Sequence, residues 1–164
     1  MRKINHTIVQ AIYKMFTEDN WTFQYSEEKG LFHFNLAIEG RLKSLKYNIL
    51  VREDGFTVYA NSPIGADATS QSSIARMSEL TTRINYGMWF CNFEHDMRDG
   101  ELRLKCHITC QDAPSTATIQ ESIFFPALVF EKYENAIIVA ACTNENIEKA
   151  VEECENKKLE ELLQ

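Results

Sequence analysis

Three cysteines have the placement that a metal site would need. Alternation of side chains along a predicted hairpin sends Cys91, Cys106 and Cys110 to one face, and clustered thiolates are preferred ligands of zinc. The spacing contains no CxxC pair, however. The other side chains on that face are apolar, namely Trp89, Phe93, Leu104 and Ile108. Because unpaired cysteines in such surroundings behave as small buried hydrophobic groups, we expect core packing, with no metal and no cofactor.

The histidines are not placed to activate those thiols. His107 alternates out of register with the cysteines, so it points to the opposite face of the hairpin. His33 lies on the outer parity of its own strand, His95 lies near a turn, and His6 lies in the first turn of a helix. A nucleophile needs a base within hydrogen-bonding reach. The sequence therefore predicts no Cys–His catalytic pair.

Carboxylates gather at one end of the same hairpin, at Glu94, Asp96, Asp99 and Glu101. They have two interpretations, loose binding of a cation or solvation of a turn, and we favour solvation. The sequence also lacks the GxSxG, P-loop, HExxH and GxGxxG motifs, each of which would mark a known catalytic or phosphate-binding arrangement. We predict that the protein is not an enzyme.

Charge excludes two classes of partner. The formal net charge of the 164 residues is −7, whereas nucleic-acid binding needs a basic stripe to replace the counterions of phosphates. The longest basic stretch, residues 41–46, is interrupted by Leu42 and Leu45. An anionic membrane surface would also repel this chain. We therefore expect neither nucleic acid nor membrane as a partner.

The location is predicted from the N-terminal residues and the cysteines. Met1-Arg2-Lys3 resembles the start of a signal peptide, but no continuous apolar stretch follows. No segment approaches the roughly 20 apolar residues that cross a bilayer. The chain has five cysteines, an odd number, which agrees with a compartment that keeps thiols reduced. We expect a soluble, cytoplasmic protein with free thiols.

The hydrophobic periodicity predicts the order of the elements. A period of 3.6 marks helices over about 5–18 and 67–86 and over most of the last third, and a period of two marks strands between them. The order is α-β-β-β-β-α-β-β-α-α. The fold class is α+β, with a six-stranded antiparallel sheet, a four-strand meander plus a hairpin, flanked by helices. One domain is expected over residues 1–164.

The alternating runs also predict a register. Asp54-Gly55 is a strong signal for a two-residue turn, and apolar residues should meet across each turn. The predicted cross-strand pairs are Val51 with Val58, Tyr25 with Phe32, Phe93 with Leu104, and Cys91 with Cys106. Gly87 is expected to end the second helix in a left-handed conformation, and Pro126 to kink or divide the long third helix.

Four apolar residues lie on the parity of the sheet that should be polar. Met88 and Phe90 are on the outer parity of the fifth strand, and Leu50 and Tyr59 are on that of the meander. Either a helix covers this side of the sheet or these residues contact another chain. They are the candidate protein-interface residues, and both explanations stay open.

Two stretches of the chain resemble the YbjN-like family of bacterial sensory transduction regulators. They are Ile84-Asn85-Tyr86-Gly87-Met88-Trp89-Phe90 and Asp99-Gly100-Glu101-Leu102-Arg103-Leu104-Lys105, and residues 138–153 are similar to that family's closing helix. The family is grouped in the type III secretion chaperone-like superfamily. The resemblance implies a helix-flanked antiparallel sheet without enzymatic activity, and members of the superfamily commonly dimerise and hold partner polypeptides.

The predicted function is a non-enzymatic protein-binding module, chaperone-like or a regulatory adaptor in a bacterial cytoplasm. Its partner is a protein, with a homodimer as one possibility. The alternative is a small-ligand sensor with a pocket between sheet and helices, lined by residues such as Trp21 or Trp89.

Overall fold

The computed structural model describes residues 3–162 of the chain and the side chains up to residue 156. The helices are α1 (His6–Glu18), α2 (Gln71–Tyr86), α3 (Thr116–Cys142) and α4 (Ile147–Leu162). The strands are β1 (Gln24–Ser26), β2 (Leu31–Ala37), β3 (Ser44–Arg52), β4 (Gly55–Asn61), β5 (Asn92–His95) and β6 (Leu102–Thr109). The predicted fold class and element order are confirmed.

The six strands form one antiparallel sheet with the order β1-β2-β3-β4-β6-β5. The first four strands are the predicted meander, and the predicted hairpin joins them through β6. Inner-parity residues such as Phe32, Tyr47 and Leu104 are fully buried. They face the helices, and the opposite parity forms the outer face of the sheet. The alternation of the strands therefore reflects a sheet that is covered on one side.

The pairs Tyr25–Phe32 and Phe93–Leu104 occur as predicted, but the β3–β4 register is wrong by two residues. Val51 pairs with Phe56, and Ile49 pairs with Val58. Parity is unchanged by a shift of two, so the same side chains are buried.

Gly55, which was predicted to lie in the turn, is required for a different structural reason. Gly55 is the first residue of β4, has a φ of +154° and pairs with Arg52. A Cβ atom at this position would collide with the carbonyl oxygen of Ile108 in β6. Glycine is therefore needed for the close approach of two strands, and the turn lies one residue earlier than predicted.

The fifth strand is shorter than predicted, with a consequence for the residues before it. β5 begins at Asn92, and residues 87–91 form a bend. Gly87 has a φ of −95°, so it does not end α2 in a left-handed conformation. Instead the N–H groups of Gly87 and Met88 continue the turn, donating to the carbonyls of Ile84 and Asn85. The bend takes Trp89 off the inner parity that was predicted for it.

Helix α3 runs through Pro126 without being divided. Proline removes one backbone hydrogen bond from a helix interior, and in the same turn the hydroxyl of Tyr47 donates to the carbonyl of Ile123 at 2.8 Å. This buried bond ties α3 to the middle of the sheet. Helix α1 packs on the same face of the sheet, with the ring of Phe16 5.1 Å from that of Phe34 in β2, and the side chain of Asn5 caps its first turn by accepting from the N–H groups of Thr7 and Ile8.

Helix α2 protects the edge of the sheet at β5. The amide of Asn85 accepts a bond from the N–H of Phe93 at 2.7 Å and donates to its carbonyl at 2.9 Å. An amide side chain placed in this way substitutes for a neighbouring strand. Open edges invite pairing with other chains, and this contact blocks the edge.

We predict that Asn85→Leu lowers the free energy of unfolding by about 1–3 kcal/mol, because it leaves two part-buried backbone groups without partners. Asn85→Asp keeps the hydrogen-bond acceptor and loses the donor, so its free energy of unfolding should lie between those of Asn85→Leu and the wild type. Urea denaturation at neutral pH measures both. Equal stability of Asn85→Leu and the wild type would show that the contact does not protect the edge.

Candidate protein-interaction surface

The structure separates the four candidate interface residues into two places. Leu50 and Tyr59 lie on the outer face of the sheet as predicted, and both are half-buried. Met88 and Phe90 do not lie on that face, because the strand that was to carry them begins only at Asn92. They lie in the bend and are partly buried against the core, and the ring of Phe90 contacts that of Phe125 in α3. Their assignment to the outer face was wrong.

The outer face is a network of polar side chains. Arg103 of β6 bonds to Glu94 at 2.7 Å and to Glu101 at 3.4 Å, and Lys105 reaches Glu94 at 3.0 Å. The guanidinium of Arg103 also lies 4.5 Å from the ring centroid of Tyr59. Charged and aromatic groups on this face therefore find partners within the sheet. The helices in the described part of the chain make their ring contacts and buried bonds with the opposite face.

Two histidines belong to this outer network. His33 bonds to Asn48 at 3.0 Å, and His107 bonds to Thr57 at 2.9 Å. Each lies beside a neutral side chain on an adjacent strand. Burial lowers the pKa of His95, partly offset by nearby acidic groups, and this ring is 3.4 Å from the hydroxyl of Ser78. The three imidazoles make three separate pairs, as their predicted directions implied.

The cysteines differ from the prediction in one respect. Cys91 and Cys106 are opposite each other as expected, but they form a disulfide, with Cα atoms 4.5 Å apart. The expectation of free thiols is wrong for this pair, because cross-strand neighbours at this Cα separation are within disulfide reach. Cys110 is a free thiol whose pKa is raised by burial and by Asp112. Among the described residues no group of histidine, cysteine and carboxylate side chains is arranged to hold a metal ion.

Helix α3 presents apolar residues on every side over its middle section, residues 123–130. Eight successive apolar residues run from Ile123 to Phe130, more than two turns of helix. Ile123 and Phe130 are fully buried toward the sheet. Phe124 and Leu128, one turn apart on the opposite side, are 41% and 62% exposed. A helix that is apolar all round is normally covered all round, and this one is open on one side.

The bend before β5 extends this exposed region. The ring of Phe90 is 5.5 Å from that of Phe125 in α3 and 5.5 Å from that of Trp89. Trp89 is 83% exposed. On the other side of α3, Phe124 is 6.0 Å from the ring of Trp21. We call the residues that share this region the α3 apolar surface: Trp89, Phe90, Phe124, Phe125 and Leu128.

Among the residues of this surface, the sequence patterns predicted only Phe90 as an interface residue, and they placed it on the outer face of the sheet. The signal that was present is the apolar run in α3, because two turns without a polar residue exceed what one contact with a sheet can bury. Trp89 and Trp21 were expected beside a possible pocket. Instead Trp21 stacks on Phe16 at 5.0 Å, and Trp89 faces solvent.

The charge network of the outer face leads to a prediction about acid stability. Burial raises the pKa of Glu94, but bonds from Lys105 and Arg103 outweigh it and hold the pKa below its ordinary value of 4.5. A carboxyl with a lowered folded-state pKa contributes stability above its unfolded value and loses it as the pH falls through the folded value.

Glu94→Gln should therefore be less stable than the wild type at pH 7, by no more than about 1 kcal/mol because the site is partly exposed. The difference should shrink as the pH falls below 4.5. Thermal unfolding of both proteins between pH 7 and pH 3 gives the comparison. A difference that does not depend on pH would mean that the ionised Glu94 does not stabilise the sheet.

Comparison of this chain with models of known protein families finds no match, and comparison with curated proteins finds no significant match either. Its resemblance to the YbjN-like family stays a prediction. Within the described residues, no helix has both the length and the apolar character needed to cross a membrane.

Proposed function

We propose that this protein is a non-catalytic protein-binding module, chaperone-like or a regulatory adaptor, that holds its partner on the α3 apolar surface. The observation that carries the proposal is the exposure of Trp89, Phe124 and Leu128 around the stretch of α3, residues 123–130, that is apolar on all sides. Exposed apolar patches of this kind mark contact sites more often than ordinary surface.

The residue types of this surface suit a protein partner. Aromatic side chains are enriched in the centres of protein interfaces, where tryptophan most often dominates the binding energy. Phe124 and Leu128 lie one turn apart on α3, and Trp89 packs beside Phe90, whose ring contacts Phe125 of the same helix. A complementary apolar segment of another polypeptide would cover Trp89, Phe124 and Leu128 and remove them from water.

The outer face of the sheet is a weaker candidate. The charges of Arg103 and Lys105 are matched by Glu94 and Glu101, so a partner would have to replace bonds that already exist. Replacing satisfied polar contacts yields little net free energy. Leu50 and Tyr59 are half-buried there, and we assign them to the packing of the sheet.

The wider setting of the proposal rests on the resemblance and on charge. Similarity to the YbjN-like family supports a bacterial regulator that holds polypeptides, with a second copy of this chain among the possible partners. The net charge of −7 supports a protein rather than a nucleic acid or an anionic membrane. A cytoplasmic location remains part of the proposal.

A groove between α2 and α4 supports ligand sensing as a second candidate function. It measures about 550 Å³ and is lined by groups that include Arg83, Tyr86, Glu148 and Glu152. This volume is within the range of small-molecule sites. It differs from the alternative predicted from the sequence, because it lies between two helices rather than between sheet and helices.

The proposed surface predicts the behaviour of a double variant, Trp89→Ser with Leu128→Gln. Both positions are exposed, and glutamine is a good helix former, so the fold should be retained. Used as bait in the native cell, the variant should retain its partner at least about tenfold less than the wild type, because apolar contacts at the centre of an interface carry most of the affinity. Quantitative mass spectrometry of the co-purified proteins measures the loss.

Met97→Gln is the matched control. Met97 is 59% exposed, close to the 62% of Leu128, but lies in the turn between β5 and β6. It should retain the same partner as the wild type. Light scattering shows whether the partner is a second copy of this chain. In that case the wild type should be a dimer and the double variant a monomer. Equal retention by all three proteins, with the wild type monomeric, would contradict the assignment of this surface.

The ligand alternative has its own test. A metabolite that binds the groove of the folded protein should raise the midpoint of thermal unfolding, with a larger shift at higher ligand concentration. Glu148→Gln with Glu152→Gln should reduce that shift if the groove is the site. A panel of metabolites that leaves the midpoint unchanged would remove this second candidate.

A further inference from the structure

The covalent link at the start of β5 lies next to the aromatic residues of the α3 apolar surface. Cys91 directly follows Phe90, and its disulfide to Cys106 joins the end of the bend to the neighbouring strand β6. The hydrogen-bonded pairing of β5 with β6 begins one residue later, at Asn92 with Lys105. The disulfide is therefore the first connection between the bend and the sheet.

The bend has few other attachments. In the described part of the chain, the backbone groups of Trp89, Phe90 and Cys91 make no hydrogen bond. The preceding residues, Gly87 and Met88, bond only to the last turn of α2. Apart from the disulfide, the bend is held by side-chain packing, chiefly the ring of Phe90 on α3. Segments with few backbone hydrogen bonds open at low free energy.

We infer that the Cys91–Cys106 disulfide is a reversible redox element that fixes the bend of residues 87–91 and thereby controls the aromatic part of the α3 apolar surface. The control of the bend stands on the disulfide alone. Its effect on a partner rests on the proposed function.

The chemistry is thiol–disulfide exchange with a dithiol reductant. A thiolate of the reductant attacks the sulfur of Cys91, the S–S bond breaks, and Cys106 leaves as a thiolate that takes up a proton. The second thiol of the reductant then displaces Cys91, so the protein gains two electrons and two protons and the reductant becomes a disulfide. Cys91 is 5% exposed and Cys106 is fully buried, so attack at Cys91 follows opening of the bend.

The oxidised and reduced states should differ in the order of the bend rather than in the fold. Reduced cysteines remain small apolar groups that suit the same positions, and the register from Asn92 onward is unaffected. Without the covalent link, Phe90 can leave Phe125, and Trp89 is no longer held in place. A binding surface that is fixed in advance binds more tightly than one that must be ordered on contact. Oxidation therefore favours the binding-competent surface.

The chemical state of the pair is tested on the purified full-length protein. Alkylation under denaturing conditions should label three cysteines before reduction and all five after it. Treatment with dithiothreitol in native buffer should reduce the pair without denaturant. A protein that already labels at all five sites when prepared in air, or one that resists native reduction, would overturn the inference.

The response of the bend is tested by NMR of methionine methyl groups. Reduction should shift and sharpen the signal of Met88 and leave those of Met77 and Met97 in place, since they lie in α2 and in the far turn. Cys91→Ala should give the reduced pattern with or without reductant. An identical Met88 signal in both states of the wild type would overturn the inference.

The two proposals fail separately. The alkylation and NMR results depend only on the disulfide, and they hold even when no partner is found for the α3 apolar surface. One combination of results separates them. If the Trp89→Ser, Leu128→Gln variant loses the partner but the Met88 signal of the wild type does not change on reduction, the proposed function is supported and its redox control is refuted.

Discussion

The packing of α3 on one face of the sheet is the contact on which the rest of the structure depends. This helix touches α1, α2 and α4 as well as β4 and β6, and the Tyr47 hydroxyl fixes it to the sheet through a buried bond. Helices α1, α2 and α4 all pack against α3, and the hydroxyl of Tyr133 in α3 donates to Glu155 in α4 at 3.2 Å. On the side of α3 that faces away from the sheet, the apolar residues Phe124 and Leu128 stay exposed in the described part of the chain.

The outer face of the sheet and the helical side of the molecule differ in how their exposed side chains are stabilised. On the outer sheet face, Arg103, Lys105, Glu94 and Glu101 bond to one another, so these side chains need no covering helix from the described part of the chain. On the helical side, Phe124 and Leu128 are 41% and 62% exposed, and apolar groups gain only from removal from water. This contrast is the physical reason for assigning the partner contact to α3. The inferred redox control by the Cys91–Cys106 disulfide would act on this same surface, because Cys91 directly follows Phe90.

Most of the fold followed from local patterns, whereas the site did not. Alternation and helical periodicity predicted the element order and pairs such as Tyr25–Phe32, because parity decides which residues are buried. The β3–β4 turn was misplaced since Gly55 is required by the approach of β6, a contact remote in sequence. Met88 was placed on the outer face because nothing local shows that α2 would end in a bend. Which side of α3 stays open depends on how many helices share one face, and no single segment encodes that.

The most direct test of the account is photo-crosslinking from single positions in the native cell. A photoreactive residue at position 128 in α3 should give a discrete adduct with another polypeptide, and the same residue at position 48, on the outer sheet face, should not. Positions 48 and 128 lie on opposite sides of the sheet, so the comparison separates the two surfaces within one protein. An adduct from position 48 with none from position 128 would contradict the central claim.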